Sequence, residues 1–320
     1  MTLIARVRRT IVERSLIVRG QRVLCACSGG PDSAALLFAL SRLGPELGFS
    51  LAVASVDHGL RSQAHADVAI AERQATAVGV EFHALHVRVS AGSSVQARAR
   101  EARYEALKEL ATRLSATRVA TGHTQDDQAE TVLSRLLRGS GVAGLSGVDP
   151  CRPDGVIRPL IDCSRSEVRC FAREHAEAIA SDPSNQDERF ERVRIRTHLL
   201  PVLRAEDSTL EQHLADLADD ARGYTQLIEL LAAELVRAAQ LDPKTLQISA
   251  LITQPSVLRR SAFRLWLRRT LGQVPGRAEL MQLDASVSRR GGEVWLRNGY
   301  CVRVEQGDRL CLRARTQGNS

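Results

Sequence analysis

Short apolar runs alternate with longer amphipathic stretches over the first part of the chain. The apolar runs predict buried strands at residues 23–27, 50–56, 80–89 and 118–121. Apolar residues that recur every three or four positions predict helices over about 34–40, 64–79, 95–114, 125–137 and 164–178. Strands that alternate with helices are typical of an α/β fold, in which a parallel sheet carries helices on both faces.

The pattern changes after about residue 205. Helical spacing covers 209–241, 256–271 and 276–287, and three short alternating segments follow at 293–297, 300–304 and 309–313. The segments predict antiparallel strands, because Asn298-Gly299 between the first two is typical of a hairpin turn. We therefore predict two domains, an α/β domain over residues 1–208 and a smaller, mainly helical domain with a few short strands over 209–320.

The stretch between the first strand and its helix has the composition of a phosphate-binding loop. It reads Ser28-Gly29-Gly30-Pro31-Asp32-Ser33. Backbone N–H groups at such a turn, with the positive end of the following helix, form an anion site. The serine hydroxyls add donors, and Asp32 can hold a magnesium ion against the phosphates. No Gly-Lys-Ser/Thr follows the glycines, so this is not a Walker loop.

Other polar residues follow the second and fourth predicted strands. Asp57-His58-Gly59 ends the second predicted strand, and Gly122-His123 ends the fourth. In parallel sheets, ligands bind at the carboxyl ends of the strands. We therefore expect these residues to meet the phosphate loop at one edge of the sheet.

Three acidic residues open the helix predicted at 125–137. Asp126 and Asp127 lie four and three positions before Glu130, so their carboxylates cluster on the helix. Clustered carboxylates need cations, which magnesium or a substrate ammonium can supply. The alternative is a solvated acidic helix start, which the helix dipole favours.

Arginine-rich stretches suggest a polyanionic partner. The formal net charge is +7, and residues 243–320 hold fourteen basic and five acidic side chains, Arg264 and Arg268 among them. This is typical of a nucleic-acid interface or, alternatively, of a solvated basic surface. Residues 138–147, which begin with Arg138, contain four glycines and suggest a mobile loop or a plain connector. Arg192 and Arg196 lie in a basic helix that is either solvated or in contact with phosphates.

Composition excludes two classes of protein. No apolar run approaches the roughly 20 residues of a membrane span, and the N-terminus lacks the apolar core of a secretory signal. The seven cysteines form no C-x-x-C pair, so we expect reduced thiols in a cytoplasmic protein.

Together, these segments resemble the tRNA(Ile)-lysidine synthetase family of ATP pyrophosphatases, over about residues 20–205. The resemblance includes the phosphate loop, Arg138-Gly139-Ser140-Gly141, and the segments at 56–61, 101–104, 121–131, 158–160 and 182–185. One position departs from it: the family has Arg-Asn where this chain has Arg192-Val193. The chain is similar to short members with a single C-terminal domain.

The resemblance implies the fold of the PP-loop ATPases and a ligase reaction. The enzyme adenylates the 2-carbonyl oxygen of the wobble cytidine in the isoleucine tRNA with a CAU anticodon, and free L-lysine then displaces AMP to give lysidine. ATP and Mg²⁺ are the implied cofactors. The partners are this tRNA and lysine, and the C-terminal helices are compatible with a homodimer.

The resemblance also implies roles for individual residues. The catalytic set is Asp32, Arg103, Asp127 and Glu130, with Arg103 on the α-phosphate and the last two receiving the lysine ammonium. The nucleotide is expected to contact Ser28, Gly29, Gly30, Pro31, Asp32, Ser33, His58, Gly122 and His123. Magnesium is expected at Asp32 and Asp126, and tRNA at Arg138, Arg192, Arg196, Arg264 and Arg268.

Two alternatives stay open at this point. A PP-loop tRNA thiolase adenylates a base in the same way, but such enzymes generally need a reactive cysteine, and Cys25 and Cys27 lie in a strand. A non-catalytic, nucleotide-dependent RNA-binding protein is the second, and the intact acidic residues argue against it.

Overall fold

The computed structural model describes residues 1–57, 59, 64–87, 95–180, 189–297 and 299–314. Contacts divide the chain into two units, Met1–Asp220 and Ala221–Ser320. The predicted boundary between residues 208 and 209 lies just before a long helix, α10 (Leu210–Ala239), whereas the contacts divide the chain inside this helix. His58 and residues 60–61, 88–89 and 182–185, all named above, lie outside the described residues, as does Asn298.

The first unit is built on a five-stranded parallel sheet with the order β3-β2-β1-β4-β5. Its strands are β1 (Arg22–Ala26), β2 (Ser50–Asp57), β3 (Glu81–His86), β4 (Arg118–Ala120) and β5 (Val156–Ile157). The α/β prediction is confirmed, although β3 ends at His86, after which Val87 N–H still donates to Asp57 O across the strands (2.8 Å).

Helices surround this sheet and continue beyond it. They are α1 (Leu3–Glu13), α2 (Pro31–Leu47), α3 (Ala64–Ala77), α4 (Val95–Arg113), α5 (Gln125–Leu137), α6 (Val142–Leu145), α7 (Arg165–His175), α8 (Glu191–Arg194), a π-helical turn (Ile195–Leu199) and α9 (Leu200–Glu206). The predicted bounds of α5 are confirmed. The glycine-rich connection at 138–147, predicted as a loop, contains the single helical turn α6.

Two hydrophobic layers cover the sheet because alternate residues of each strand face opposite sides. In β1, Val23 and Cys25 pack under α1, α2 and α7, whereas Leu24 packs against Leu107 and its neighbours on α4. The cysteines among the described residues are all free, and Cys25 and Cys27 are buried. No described helix is long and apolar enough to cross a membrane.

The strand order fixes where a ligand can bind. The chain moves from β1 outward to β2 and β3, and then returns to the other side of β1 as β4. In such open sheets a crevice forms at the carboxyl ends of the strands, at the point where the order reverses. The phosphate loop leaves β1 at this point, and Gly122-His123 leaves β4 beside it.

The second unit has an antiparallel sheet with the order β6-β7-β10-β9-β8. Its strands are β6 (Gln240–Asp242), β7 (Thr245–Gln247), β8 (Glu293–Trp295), β9 (Tyr300–Glu305) and β10 (Arg309–Ala314), and its helices besides α10 are α11 (Ile248–Ile252), α12 (Ser256–Leu271) and α13 (Arg277–Arg289). Phe263 and Trp266 of α12 are fully buried in its core. The prediction of a mainly helical region with short antiparallel strands is confirmed, and β6 and β7 are strands that the sequence pattern did not predict.

Candidate active site

The phosphate loop, residues 28–33, is held in a closed turn by its own hydrogen bonds. Gly30 caps α2, and Pro31 occupies the first helical position, where its missing N–H costs nothing. Ser33 Oγ accepts from Ser28 N–H (3.1 Å) and donates to Gly30 O (2.9 Å). Gly29 has φ +76°, and a Cβ there would lie 2.8 Å from the backbone oxygen of Asp67. The loop's own contacts therefore fix its conformation without a bound anion.

A second glycine brings the end of β4 against this loop. A Cβ at Gly122 would lie 2.9 Å from the backbone oxygen of Asp32 and 3.2 Å from the nitrogen of Ser33. A larger residue would push β4 away from the N-terminus of α2. The close approach predicted for the ends of β1 and β4 is thus present.

A cavity of about 670 Å³ lies over the carboxyl ends of the strands. The phosphate loop lines one part of it, and Ala54, Val56 and Leu107 line an apolar part. Its charged lining includes Asp127 and six arginines, namely Arg100, Arg103, Arg165, Arg169, Arg192 and Arg196. A ligand with a flat apolar group and several negative charges, such as ATP, matches these three surfaces.

The acidic residues of α5 are buried together, as predicted. Asp127 is the third residue of the helix, and its Oδ2 accepts from Thr124 N–H (2.7 Å) and Thr124 Oγ1 (3.0 Å) in a capping box. Asp126 and Glu130 are also buried, and Glu130 has no exposed surface. We call these three acids and the arginines that pair with them (Arg165, Arg192, Arg196 and Arg204) the carboxylate cluster.

Glu130 is the centre of the carboxylate cluster. Arg196 donates to both of its oxygens (2.6 and 2.9 Å). Arg165 Nη1 donates to Oε1 (2.9 Å), and Arg192 Nε donates to Oε2 (2.6 Å). Charge-assisted bonds of this forked kind are the strongest that side chains make.

The two aspartates complete the cluster. Asp127 Oδ1 accepts from Arg165 Nη2 (3.0 Å) and Arg192 Nη2 (2.5 Å). Asp126 accepts from the backbone N–H of Arg165 (2.7 Å) and from Arg204 Nη2 (2.9 Å), and Arg204 also pairs with Glu211. With Glu211 included, four carboxylates balance four guanidiniums.

These contacts keep Asp127 and Glu130 ionised. Burial alone would raise the pKa of Asp127, but Arg192 and Arg165 outweigh it and hold that pKa well below the usual range. Burial likewise opposes ionisation of Glu130, and the hydrogen bond from Arg196 with the charge of Arg165 lowers its pKa. Four arginines that sequence reasoning did not connect with these acids therefore neutralise them, and the expected contacts with magnesium and a substrate ammonium stay predictions.

The two expected magnesium ligands differ in what their oxygens already contact. Both oxygens of Asp126 accept hydrogen bonds, so this carboxylate is a poor candidate for a metal ligand. Asp32 Oδ1 is buried without a hydrogen-bond partner in the described part of the chain. Burial and the charge of Asp127 raise the pKa of Asp32 to about 6, although Arg165 and neighbouring arginines oppose the shift. A bare carboxylate oxygen beside a phosphate loop suits Mg²⁺, which takes most of its ligands from phosphates and water.

Elsewhere, the described residues do not group into a metal site. Among them, no set of three or more His, Cys, Asp or Glu side chains is arranged to hold a metal ion. A magnesium ion at Asp32 would therefore take most of its ligands from substrate phosphates and water.

Three of the six cavity arginines lack a carboxylate partner among the described residues. We call Arg100, Arg103 and Arg169 the unpaired arginines. Arg100 and Arg103 lie 5.1 and 5.8 Å from the ring centre of Tyr104. Burial, with the nearby charge of Arg100, lowers the pKa of Arg103. A half-buried guanidinium without a counter-ion favours an anionic ligand, as expected if Arg103 contacts the α-phosphate.

The cavity histidine is held neutral. His123 Nδ1 lies 3.0 Å from Thr121 Oγ1, and burial lowers the pKa of His123 to about 3 despite the charge of Asp127. His123 can therefore donate or accept a hydrogen bond to a nucleotide, but it brings no positive charge.

The residues expected to bind tRNA have different surroundings. Arg192 and Arg196 turn their guanidiniums to Glu130, so in this state they are not free for phosphates. Arg138 pairs with Glu191 at the surface. Arg264 and Arg268 are exposed on α12. Their contacts with tRNA stay predictions.

Arg165 is the most deeply buried arginine of the cluster, and sequence reasoning missed it, as it missed Arg204. Ser164, the neighbour of Arg165, caps α7 in a capping box with Glu167. A cation in the first turn of a helix opposes the helix dipole, so an arginine there signals a carboxylate partner elsewhere in the chain. That signal is present in the sequence, but it does not identify Asp127 and Glu130 as the partners.

Comparison with known proteins now adds to the geometry. The PP-loop domain family matches residues 2–203, and the TilS substrate binding domain family matches residues 246–308. A tRNA(Ile)-lysidine synthase from Symbiobacterium thermophilum is 35% identical over 99% of this chain and 70% of its own length. That of Gloeobacter violaceus is 39% identical over 84% of this chain and 83% of its own length. The chain spans 51% of a third, from Solibacter usitatus, at 41% identity over 70% of this chain.

A solved structure supports the fold. The U34-tRNA thiolase NcsA from Methanococcus maripaludis superposes with a TM-score of 0.57 at 18% identity, over 70% of this chain and 78% of that one. At this identity, the likeness concerns the fold alone.

Proposed function

This chain belongs to the tRNA(Ile)-lysidine synthase family, and from that premise we propose that it joins L-lysine to the 2-position of the wobble cytidine in the isoleucine tRNA with a CAU anticodon. ATP is consumed, and AMP and pyrophosphate are released. The observation that carries the proposal is that the phosphate loop and part of the carboxylate cluster line one cavity, since both Asp32 and Asp127 face it.

The first step forms a bond between the 2-carbonyl oxygen of cytidine and the α-phosphorus of ATP. The bond from this phosphorus to the bridging oxygen breaks, and pyrophosphate leaves with that electron pair. The phosphate loop holds the polyphosphate, and Arg103 stabilises charge on the α-phosphate. Asp32 would hold a magnesium ion, which when bound offsets charge on the leaving pyrophosphate.

The second step forms a bond between the lysine amine and C2 of the base. Asp127 and Glu130 bind the lysine ammonium and orient it, and the ammonium then gives one proton to water to become a neutral amine. As the amine bonds to C2, the bond from C2 to oxygen breaks, AMP leaves with that electron pair, and a second proton passes to water. Because their pKa values are lowered, these carboxylates suit binding a cation better than accepting its proton.

Sulfur transfer has weaker support. Cys27 lines the cavity, but it is buried, and burial raises the pKa of its thiol. A thiol in this state is a poor nucleophile. The presence of all four acidic residues, Asp32, Asp126, Asp127 and Glu130, argues against a non-catalytic binding protein.

Incorporation of radiolabelled lysine into CAU-bearing isoleucine tRNA transcripts tests the proposal. We expect label only when ATP is present, and none when the wobble cytidine is replaced by uridine. Release of pyrophosphate without label would mean that the nucleophile is wrong, and sulfur donors would then be tried. Folded protein that does neither would support the binding-protein alternative.

Substitution of Asp127 separates the two steps. Asp127→Asn keeps the side chain's size but removes the charge that faces the lysine ammonium. We expect lysine incorporation to fall by roughly 10–150-fold, in line with the loss of a charged hydrogen bond, while cytidine-dependent pyrophosphate release persists. Incorporation at the wild-type rate would refute the role of Asp127.

A further inference from the structure

Arg192 occupies a distinct position in the carboxylate cluster. It donates to both Asp127 and Glu130, yet 43% of its side chain is exposed, against 25% for Arg196 and 10% for Arg165. It also lines the cavity into which substrate must enter. It is therefore the guanidinium of this set that an incoming molecule can reach most easily.

The carboxylates remain satisfied when Arg192 leaves. Asp127 keeps both donors of Thr124 and the guanidinium of Arg165. Glu130 keeps its forked pair with Arg196 and its bond from Arg165. Removal of Arg165 or Arg196 would cost more, because each is more deeply buried against its partner.

The local backbone lets the side chain move while its attachment stays fixed. Arg192 lies on α8, which has only four residues and leads directly into the π-helical turn, a feature frequent at functional sites. The next residue, Val193, is buried and anchors the turn. A swing of the long arginine side chain therefore needs no movement of the helix.

We propose that lysine enters by exchanging with the Arg192–Asp127 ion pair. Its reacting ammonium replaces the guanidinium at Asp127, and its α-carboxylate accepts the released guanidinium of Arg192. The two ion pairs of Arg192, with Asp127 and Glu130, are thus replaced by two, and the released guanidinium keeps an anion. The α-ammonium of lysine stays outside this exchange, and lysinamide carries the same group. This inference rests on the proposed function, and it assigns Arg192 as the residue that selects an amino acid over an amine without a carboxylate.

The charge balance of the cluster explains this selectivity. Because four guanidiniums already match four carboxylates, an amine that carries only positive charge would displace Arg192 and leave its guanidinium without an anion. A molecule with a carboxylate at its other end avoids that cost. A forked charged pair contributes about 1.5–3 kcal/mol, which corresponds to a preference of roughly 10–150-fold.

Lysine and lysinamide provide the test, because they differ only in the carboxylate. We would measure kcat/KM for each in the tRNA-dependent reaction, with wild type, Arg192→Gln, Arg192→Lys and the control Arg204→Gln. Arg204 is matched because it also pairs with a cluster aspartate, Asp126, but it does not line the cavity.

We expect the ratio of kcat/KM for lysine to kcat/KM for lysinamide to be the same in wild type and Arg204→Gln, at roughly 10–150. In Arg192→Gln this ratio should fall to about threefold or less. Arg192→Lys, which keeps the charge but not the fork, should give an intermediate ratio and decides the matter if Arg192→Gln has no measurable turnover. An unchanged ratio in the Arg192 variants, or an equal loss in Arg204→Gln, would overturn the inference. Failure of wild type to use lysine at all would instead refute the proposed function.

Discussion

The arginines of the cavity fall into two groups with opposite surroundings. Arg165, Arg192 and Arg196 are locked to carboxylates at 2.5–3.0 Å. The unpaired arginines, Arg100, Arg103 and Arg169, line the same cavity with no carboxylate partner among the described residues.

The difference indicates how each group can treat a ligand. The unpaired arginines form no ion pair with a carboxylate among the described residues, although the charge of Arg169 acts on Asp32, so we expect a polyphosphate to bind there without displacing an ion pair. The paired arginines belong to a neutral cluster, so a charged ligand binds there only by exchange. In the proposed function, the adenylation step and the lysine step would therefore depend on different electrostatics within a single cavity.

The largest effect is expected from breaking the paired group at its centre. Glu130→Gln leaves Arg165, Arg192 and Arg196 without their main anion in a buried site. Removing one partner of a buried ion pair costs about 3–5 kcal/mol, so the free energy of unfolding should fall by that amount in urea titrations.

Glu191 provides the control for this substitution. Glu191→Gln makes the same chemical change at an exposed pair with Arg138, where about 0–1 kcal/mol is expected. If both variants lost equally little stability, the cluster would not be the electrostatic unit described above.

The stability conferred by Glu130 should depend on pH in a defined direction. Its folded pKa lies below the unfolded value of about 4.3, so the contribution is present above that pH and is lost as the pH falls through the folded pKa. The stability difference between wild type and Glu130→Gln should be constant from about pH 7 to 5 and narrow towards pH 3. A difference that widens in acid would mean that the folded pKa is raised instead.

Local spacing predicted the parts of this structure that local interactions form. The bounds of α5 and the loop before α2 follow from neighbours within a few residues. The glycine at 122 was identified by its place after a strand. The physical reason for a glycine there is its close packing against the backbone of Asp32, which arises only because β4 lies beside β1 in the fold.

The ion pairs of the carboxylate cluster could not be predicted from the sequence, because they also depend on contacts between residues far apart in the chain. Asp127 and Glu130 were predicted to cluster because they are three residues apart, but Arg165 and Arg196 reach them from 35 to 66 residues away. Periodicity carries no information on such contacts. Arg196 was therefore expected on tRNA phosphates, and the arginine partners of the cluster were not predicted.

A substitution in the unpaired group should have effects opposite to those in the paired group. Arg103→Gln removes a half-buried charge without a partner, so we expect unfolding free energy to stay within about 0.5 kcal/mol or to rise. ATP affinity should fall by roughly 10–100-fold, measured by fluorescent nucleotide titration, because a charged hydrogen bond to phosphate is lost.

Arg165→Gln is the counterpart on the paired side. It should lower the free energy of unfolding by about 3 kcal/mol or more, since it leaves Asp127 and Glu130 short of a buried partner. If Arg103→Gln destabilised the protein as much, Arg103 would have a structural role and the two groups would not differ.

The smallest effect extends the comparison to α12 of the second unit. Arg259 there is buried against Asp284 (2.6 Å), whereas Arg264 and Arg268 are exposed and have no ion-pair partner in the described residues. Arg264→Gln combined with Arg268→Gln should leave unfolding unchanged within about 0.5 kcal/mol. If both contact tRNA phosphates, the slope of log affinity against log salt should decrease by about 2 in filter-binding titrations. Arg259→Gln should instead destabilise the protein, and an unchanged slope in the double variant would assign tRNA binding to other residues.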